Sequence, residues 1–361
     1  MNVVLFTGFP GFLGSELLPR VLARDPDLTA ICLVQSRHAA LARERAASLG
    51  TSDRTLSGRI RVVEGDIVTP HLGLDDSVAT DDVVEIHHLA AIYDISVARE
   101  AAMRVNVEGT RNVIAFARRC ARLRRLHYVS TCYVSGRYPG TFTEAMLEEG
   151  QRFNNFYEET KYLAEVEVRR AMRDGLAATI YRPSVVVGDS TTGATQKYDG
   201  PYSVLQLLLR QPAVALLPVI GDSRRTVFNA VPRDFVVNAI AYLSGRAESS
   251  GKTYHLADPA PLTVHELLDV FARVTGRRVV RLPLPLALSK WSIDHVPGMR
   301  SLLRIPSSAV DYFVHPTRYS TTEAEAALEA AGIRCASIGD YAGRLVAFMR
   351  AHPDVGSEAM R

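Results

Sequence analysis

Residues 3–14 read Val-Val-Leu-Phe-Thr-Gly-Phe-Pro-Gly-Phe-Leu-Gly, and no other stretch limits the fold as much. Val3 to Phe6 is an unbroken apolar run, the pattern of a strand buried on both faces. Gly8, Gly11 and Gly14 then recur every three residues. Ser15 to Leu22 follows with helical spacing at Leu17, Leu18, Val21 and Leu22. The glycines therefore sit at a strand-to-helix turn, where a missing side chain permits a sharp turn and close backbone approach. The N–H groups that open such a helix face an anion, typically the pyrophosphate of a dinucleotide. Pro19 falls inside the helix and is expected to kink or shorten it.

Strand and helix signals alternate after this opening. Thr29 to Val34, Ile60 to Val63, Val83 to Leu89, Leu126 to Ser130 and Ala178 to Tyr181 read as five further strands. Helical stretches lie between them, one from about Val97 to Arg119. This rhythm predicts an α/β fold, a Rossmann-like doubly wound parallel sheet with helices on both faces. Residues 188–200 read as a long loop, Tyr202 to Arg210 as an apolar helix, and the segment to Ile220 as apolar and proline-punctuated. Phe228 to Leu243 reads as a helix returning to the nucleotide domain. Thr253 to Leu256 reads as a strand and Thr263 to Thr275 as a helix capped by Thr263. Pro283, Pro285, Pro297 and Pro306 punctuate the tail, with a helix from Thr321 to Ala331. The expected organisation is a dinucleotide-binding domain over 1–190, joined by 226–258. A smaller, mostly helical, partly discontinuous substrate region covers 191–225 and 259–361.

Charge and composition exclude several classes. A net charge of +3 over 361 residues does not suggest nucleic acid as a partner. Arg118, Arg119, Arg122, Arg124 and Arg125 read as a solvated helix end, where cations oppose the helix dipole. Cys32, Cys120, Cys132 and Cys335 show no metal or disulfide spacing. His87 and His88 read as structural, because no third ligand of metal spacing is visible; no metal is expected. The N-terminus lacks a basic leader, and no apolar run approaches ~18 residues without a break. A cytoplasmic soluble protein without a transmembrane segment is expected, with peripheral membrane contact left open.

Tyr157-Glu-Glu-Thr-Lys161 carries the chemistry. A Tyr and a Lys four apart share one helix face. The ammonium can then favour a phenolate and reach a nucleotide ribose, while the tyrosine exchanges a proton with substrate. Such a pair is common on helix surfaces. Here it lies downstream of a nucleotide turn and of the strand end Tyr128-Val-Ser-Thr-Cys-Tyr-Val-Ser-Gly136.

Thr-Gly-x-x-Gly-x-x-Gly with this Tyr/Lys pair resembles the short-chain dehydrogenase/reductase superfamily, especially its extended branch. The resemblance covers nearly the whole chain to about 275. It implies a catalytic hydroxyl five residues before Gly136, which is Thr131, with Ser130 as the less favoured alternative. Thr131, Tyr157 and Lys161 then form the catalytic set. It implies a cofactor cradle over Thr7, Gly8, Phe9, Pro10, Gly11, Phe12, Leu13 and Gly14. Asp66 and Ile67 would contact adenine, and Ala90 and Ala91 would line the cofactor. Asn106 would hold the neighbouring backbone, Pro183 and Ser184 would flank nicotinamide, and Tyr157 and Lys161 would also touch the cofactor.

The end of the second strand, Gln35-Ser36-Arg37, has no acid to bind a ribose 2′-hydroxyl, and Arg37 can pair with a 2′-phosphate. NADPH is therefore expected over NADH. Longer phrases resemble the fatty acyl and thioester reductases: Gly65-Asp-Ile-Val-Thr-Pro-His-Leu-Gly-Leu74, Val129-Ser-Thr-Cys-Tyr-Val134, Tyr157-Glu-Glu-Thr-Lys-Tyr-Leu-Ala-Glu165 and Arg182-Pro-Ser-Val-Val-Val-Gly-Asp189. That subfamily usually has Arg where Gln35 stands. The resemblance implies hydride delivery to the carbonyl of an acyl thioester, carried by coenzyme A or an acyl-carrier protein, to give aldehyde or alcohol. Val204 to Ile220 would then wall an acyl channel, or simply pack the core of the small domain. Alternatives are a ketone or secondary-alcohol oxidoreductase (hydroxysteroid- or 3-oxoacyl-type), a nucleotide-sugar epimerase or dehydratase, and a non-catalytic NADP(H) sensor. By analogy, a homodimer would form through the helices 97–119 and 157–173.

Overall fold

In the computed structural model, residues 2–75, 78–94, 96–296 and 307–356 are described. Seven parallel strands form the central sheet. Across it lie Thr253–Leu256, Ala178–Pro183, Arg125–Val129, Val83–His88, Asn2–Thr7, Leu28–Val34 and Ile60–Glu64. The strand order reverses between the first strand and Val83–His88, with Phe6 beside His87 and Thr7 beside His88. Ligands of open α/β sheets bind beyond the strand C-termini at such a reversal.

The first strand shows why both faces are apolar. Val4 and Phe6 join a cluster with Leu17, Leu18, Val236 and Ile240 on one face. Val3 and Leu5 join Val113, Ile114, Ala164 and Val168 on the other. Successive side chains of a strand point to opposite faces, so a strand covered by helices on both sides must be apolar throughout. The helix after the glycine turn spans only Gly14–Leu22, and the Ala23 amide closes it on the Pro19 carbonyl at 2.9 Å. It runs three residues past Pro19, which has no N–H to donate to the Ser15 carbonyl.

The stretch expected as one helix from about Val97 to Arg119 begins at Arg99 and runs to Arg119, with a wider turn over Met103–Glu108. Thr263 caps the helix Val264–Thr275 in a reciprocal box with Glu266, a pairing worth roughly 1 kcal/mol.

Two readings of the second half need correction. The helix expected over 228–243 starts at Arg233. Before it, Ala230–Pro232 is a short strand paired in parallel with Val185–Val187. The apolar segment ending at Ile220 is a strand, Val214–Ile220, paired in parallel with Arg278–Leu284. Its Ala215 and Leu217 pack with Leu205, Leu208 and Phe271, whereas Val214 and Leu216 are each 53% exposed. The sequence reading also gave no helix for Ile338–Ala351, which buries Tyr341, Leu345 and Met349 in the same cluster. Pro297 and Pro306 lie outside the described residues. Among the described residues, no helix is long and apolar enough to cross a membrane.

Candidate active site

The glycine turn is built against the end of the strand Val83–His88. Gly8 has φ +90°, and a Cβ there would lie 2.9 Å from the Ala90 amide nitrogen. A Cβ on Gly14 would lie 2.5 Å from the Gly8 carbonyl oxygen. Both positions exclude any side chain. Phe9 is buried, while Phe12 and Leu13 are part-buried at the start of the helix. The first N–H groups of a helix lack intrahelical acceptors, so the turn suits an anion such as a dinucleotide pyrophosphate. The Gly14→Ala variant is expected to bind a nicotinamide dinucleotide at least about tenfold more weakly, ~1.4 kcal/mol, in a fluorescence titration. Unchanged affinity would remove the turn from the site.

Thr7 and Pro10 are framework rather than open edge. The Thr7 hydroxyl hydrogen-bonds His88 Nδ1 at 2.8 Å and accepts from the Ala90 amide at 3.1 Å. The Ser15 hydroxyl donates to the Pro10 carbonyl at 2.7 Å. His88 reaches Thr110 with its other nitrogen at 3.1 Å. Burial, with Lys161 nearby, pushes its pKa down to about 3, so it stays a neutral bridge. Asn106 accepts the Ile92 amide at 2.8 Å and donates to the Ile92 carbonyl at 3.0 Å and to Thr160 at 3.0 Å. It clamps the segment just after Ala90 and Ala91 onto the helix Phe156–Arg173.

At the end of the second strand, Gln35 donates to Asp66 at 2.7 Å and accepts from the exposed Arg37 at 2.7 Å. Ile67 is buried and packs on Gly109, so of that pair the Asp66 carboxylate is the polar end.

Thr131 and Tyr157 meet where the strand Arg125–Val129 ends. The Thr131 hydroxyl donates to the Pro183 carbonyl at 3.4 Å and accepts from the Tyr133 amide at 3.3 Å. Tyr157 is the second residue of the helix Phe156–Arg173, whose N-cap is Asn155. Burial pushes the Tyr157 pKa up to about 12, with the Thr131 side chain beside it acting the other way. At neutral pH it is therefore a proton donor. Ser130, the alternative hydroxyl, is committed elsewhere: it donates to Glu165 at 2.6 Å.

Lys161 lies one turn along from Tyr157 and is 3% exposed. Its ammonium donates to the Val129 carbonyl at 2.8 Å and the Tyr128 hydroxyl at 3.0 Å, and neither acceptor is Tyr157. Burial pushes its pKa down to about 7, opposed by Glu165. Ser184 donates to Asn229 Oδ1 at 2.7 Å, and the Asn229 amide group in turn donates to the Asp258 carbonyl at 2.8 Å. That chain ties Pro183 and Ser184 to the second half of the molecule.

Sequence reading did not single out Asn155, Asn229, Tyr128, Glu165 or Arg182. An N-cap asparagine before an apolar-periodic stretch was a readable signal. The Glu165–Arg182 pair was not: both side chains are fully buried and 2.6 Å apart, and no periodicity announces a buried charge. His87 also gains neighbours that spacing did not show. Ligand atoms of Glu85, His87 and His127 lie within 4.8 Å of one another. Arg24 already pairs with that Glu85 carboxylate, and a guanidinium there opposes a dication.

A family described as male sterility protein, an NAD-binding family, matches residues 6–240. One linear gramicidin synthase polypeptide of Brevibacillus parabrevis is 31% identical over 284 residues, 74% of this chain and 5% of that protein. Fatty acyl-CoA reductase 1 of Arabidopsis thaliana is 23% identical over 369 residues, 81% of this chain and 74% of that protein. Among solved structures, the terminal R domain from the myxalamid PKS-NRPS biosynthetic pathway superposes with a TM-score of 0.81 at 28% identity. That match covers 98% of this chain and 91% of the other. The chain spans less than a third of the length of the first curated relatives it matches.

Proposed function

Because the chain belongs to the male sterility protein family of extended short-chain dehydrogenase/reductases, and so is an NAD(P)-dependent oxidoreductase, we propose that it reduces acyl thioesters with NADPH. The observation that carries this reading is that Thr131, at the end of the strand Arg125–Val129, and Tyr157 with the buried Lys161, one turn apart on the helix Phe156–Arg173, lie at the sheet edge where the glycine turn lies. A nicotinamide dinucleotide held over the glycine turn, residues 8–14, would supply hydride to the thioester carbonyl carbon. Thr131 and Tyr157 donate hydrogen bonds to the carbonyl oxygen as negative charge builds there, where such donors count most. Tyr157 passes its proton to that oxygen. The tetrahedral hemithioacetal then loses thiol to leave an aldehyde. Coenzyme A or a carrier-protein pantetheine is the thiol; the acyl-CoA in the name of the Arabidopsis relative supports the first.

Lys161 holds the ribose side of the site. Losing its proton as pH rises through about 7 removes the charge that a ribose hydroxyl would accept from. NADPH affinity is expected to be highest below that pH and to fall by up to about tenfold per unit above it. Titration of the dinucleotide between pH 6 and 9 checks this. A flat wild-type profile would take Lys161 out of that role, and Lys161→Met is expected to give one.

Arg37 faces solvent beside Gln35 with no acid at the strand end, which favours a 2′-phosphate. Arg37→Glu is expected to lower the NADPH:NADH ratio of kcat/KM by about tenfold or more; an unchanged ratio would place the 2′-phosphate elsewhere. The reaction class is tested with matched panels of acyl-CoA thioesters, ketones, secondary alcohols and nucleotide sugars. Turnover of thioesters supports the proposal, and turnover confined to ketones or secondary alcohols would replace it.

A further inference from the structure

The short helical segment Ser307–Val314 comes from the C-terminal part of the chain, yet its Tyr312 lies between the two segments that carry the Thr131 and Tyr157 hydroxyls. On one side the Tyr312 hydroxyl accepts a hydrogen bond from Asn155 Nδ2 at 2.9 Å, two residues before Tyr157. On the other its ring meets the Tyr133 ring edge-on, with centroids 4.8 Å apart. Tyr133 stands two residues after Thr131 and donates its amide to the Thr131 hydroxyl at 3.3 Å.

Both ends of the Asn155 side chain are engaged. Oδ1 accepts the Glu158 amide at 3.0 Å and so starts the helix Phe156–Arg173. Nδ2 goes to Tyr312. A carboxamide that caps with its oxygen is held in that orientation by an acceptor for its nitrogen. Glu158, next to Tyr157, is fully buried and accepts the Asn154 amide at 2.8 Å. Burial above all pushes its pKa up, with Asn154 and the Tyr312 side chain acting the other way. Tyr312 therefore faces polar groups on both sides of Tyr157 in the first turn of the helix. Its own segment is anchored from behind. Asp311 is buried and accepts from Lys290 at 2.8 Å on the helix Leu286–His295. Phe313 stacks on Phe228 with centroids 5.9 Å apart.

We infer that Tyr312 is a positioning residue: acting through the Asn155 cap and the Tyr133 ring, it sets Tyr157 against Thr131 and so governs the chemical step from the C-terminal part of the chain. This rests on the reading of Thr131 and Tyr157 as the catalytic hydroxyls. Two donors that stabilise one developing oxyanion must both be aimed at it before the reaction begins. A misplacement of about 1 Å costs up to about 10²-fold in rate. An interaction of this kind leaves binding alone and lowers kcat.

The test uses the full chain with NADPH and the substrate of the panel above that it turns over fastest. Tyr312→Phe removes one oxygen and keeps the ring against Tyr133. It is expected to lower kcat by about tenfold, with KM, the Kd for NADPH and the urea midpoint unchanged. Asn155→Ser keeps an oxygen to cap the helix but has no side-chain nitrogen for Tyr312. In that background Tyr312→Phe is expected to cost about twofold or less, because the two changes break one link. Wild-type kcat in Tyr312→Phe, beside an inactive Tyr157→Phe, would overturn the Tyr312 assignment and leave the catalytic pair standing. So would the full tenfold loss in the Asn155→Ser background, or a loss that comes with a lowered urea midpoint and weaker NADPH binding. Wild-type turnover by Tyr157→Phe, or no NADPH oxidation with any member of the panel, would overturn the catalytic reading and this inference with it.

Discussion

Tyr157→Phe is expected to lower kcat/KM by about 10²–10⁴-fold while leaving NADPH affinity within a few-fold of wild type. Only an oxygen and its proton are lost. The ring stays at the second position of the helix Phe156–Arg173, and the Asn155 cap that starts the helix, accepting the Glu158 amide at 3.0 Å, is untouched. The glycine turn is built from other residues. The loss should therefore fall on the chemical step: kcat drops and the Kd for NADPH holds. Thr131→Ala removes the second donor to the same oxygen, and its loss should not add fully to that of Tyr157→Phe, because the two hydroxyls act on one atom. A Tyr157→Phe protein retaining more than about a tenth of wild-type kcat/KM would mean that another group donates the proton.

Glu165→Ala is expected to destabilise the fold by about 3–5 kcal/mol, because it leaves a buried guanidinium unpaired. Arg182 is fully buried and donates to Glu165 at 2.6 Å, to the Met146 carbonyl at 2.8 Å and to His255. Glu165 also receives Ser130 at 2.6 Å and Arg169 at 3.2 Å. Burial raises the Glu165 pKa, but Arg182 above all, with Arg169 and Ser130, holds it below the ordinary carboxylate value. A carboxylate lowered in this way stabilises the fold fully above its unfolded pKa, and that contribution is lost as pH falls through the lowered value. Urea unfolding of wild type and variant at pH 7 measures the difference, and repeating it at pH 4 should narrow the gap. The double variant Glu165→Leu with Arg182→Met is expected to recover much of the loss, since neither charge then remains buried. If the single variant unfolds at the wild-type midpoint, the pair is not what holds the strand Ala178–Pro183 against the helix Phe156–Arg173.

The nucleotide half of the molecule was legible because its determinants are local. The run Val3 to Phe6, the glycines at 8, 11 and 14, and the strand end before Gly136 each write their structure into a few adjacent residues. The helical period put Tyr157 and Lys161 on one face, and their reading as catalytic came from the family resemblance. The small domain was less legible because its pairings are not local. Val214–Ile220 lies beside Arg278–Leu284 in parallel, and a parallel pair needs a long crossover that leaves no turn signal between its strands. Pro218 lies opposite Leu282 and Pro283 opposite Val219 in that pair; both read as breakers, although a two-stranded ribbon is all edge and tolerates them. Ala230–Pro232 was absorbed into the following helix because three residues carry no period. The helix Ile338–Ala351 was readable, since Ile338, Tyr341, Ala342, Leu345, Val346 and Met349 recur at three- and four-residue intervals.

The central claim is that the carbonyl presented to Thr131 and Tyr157 belongs to a thioester. The most direct test mixes purified protein with NADPH and acyl-CoA, and follows free thiol and NADPH absorbance together, with Tyr157→Phe as the control. The first NADPH oxidised is expected to release one thiol and one aldehyde, and both signals are expected to vanish in the variant. NADPH oxidation without thiol release, or turnover only with ketones and secondary alcohols, would contradict that claim.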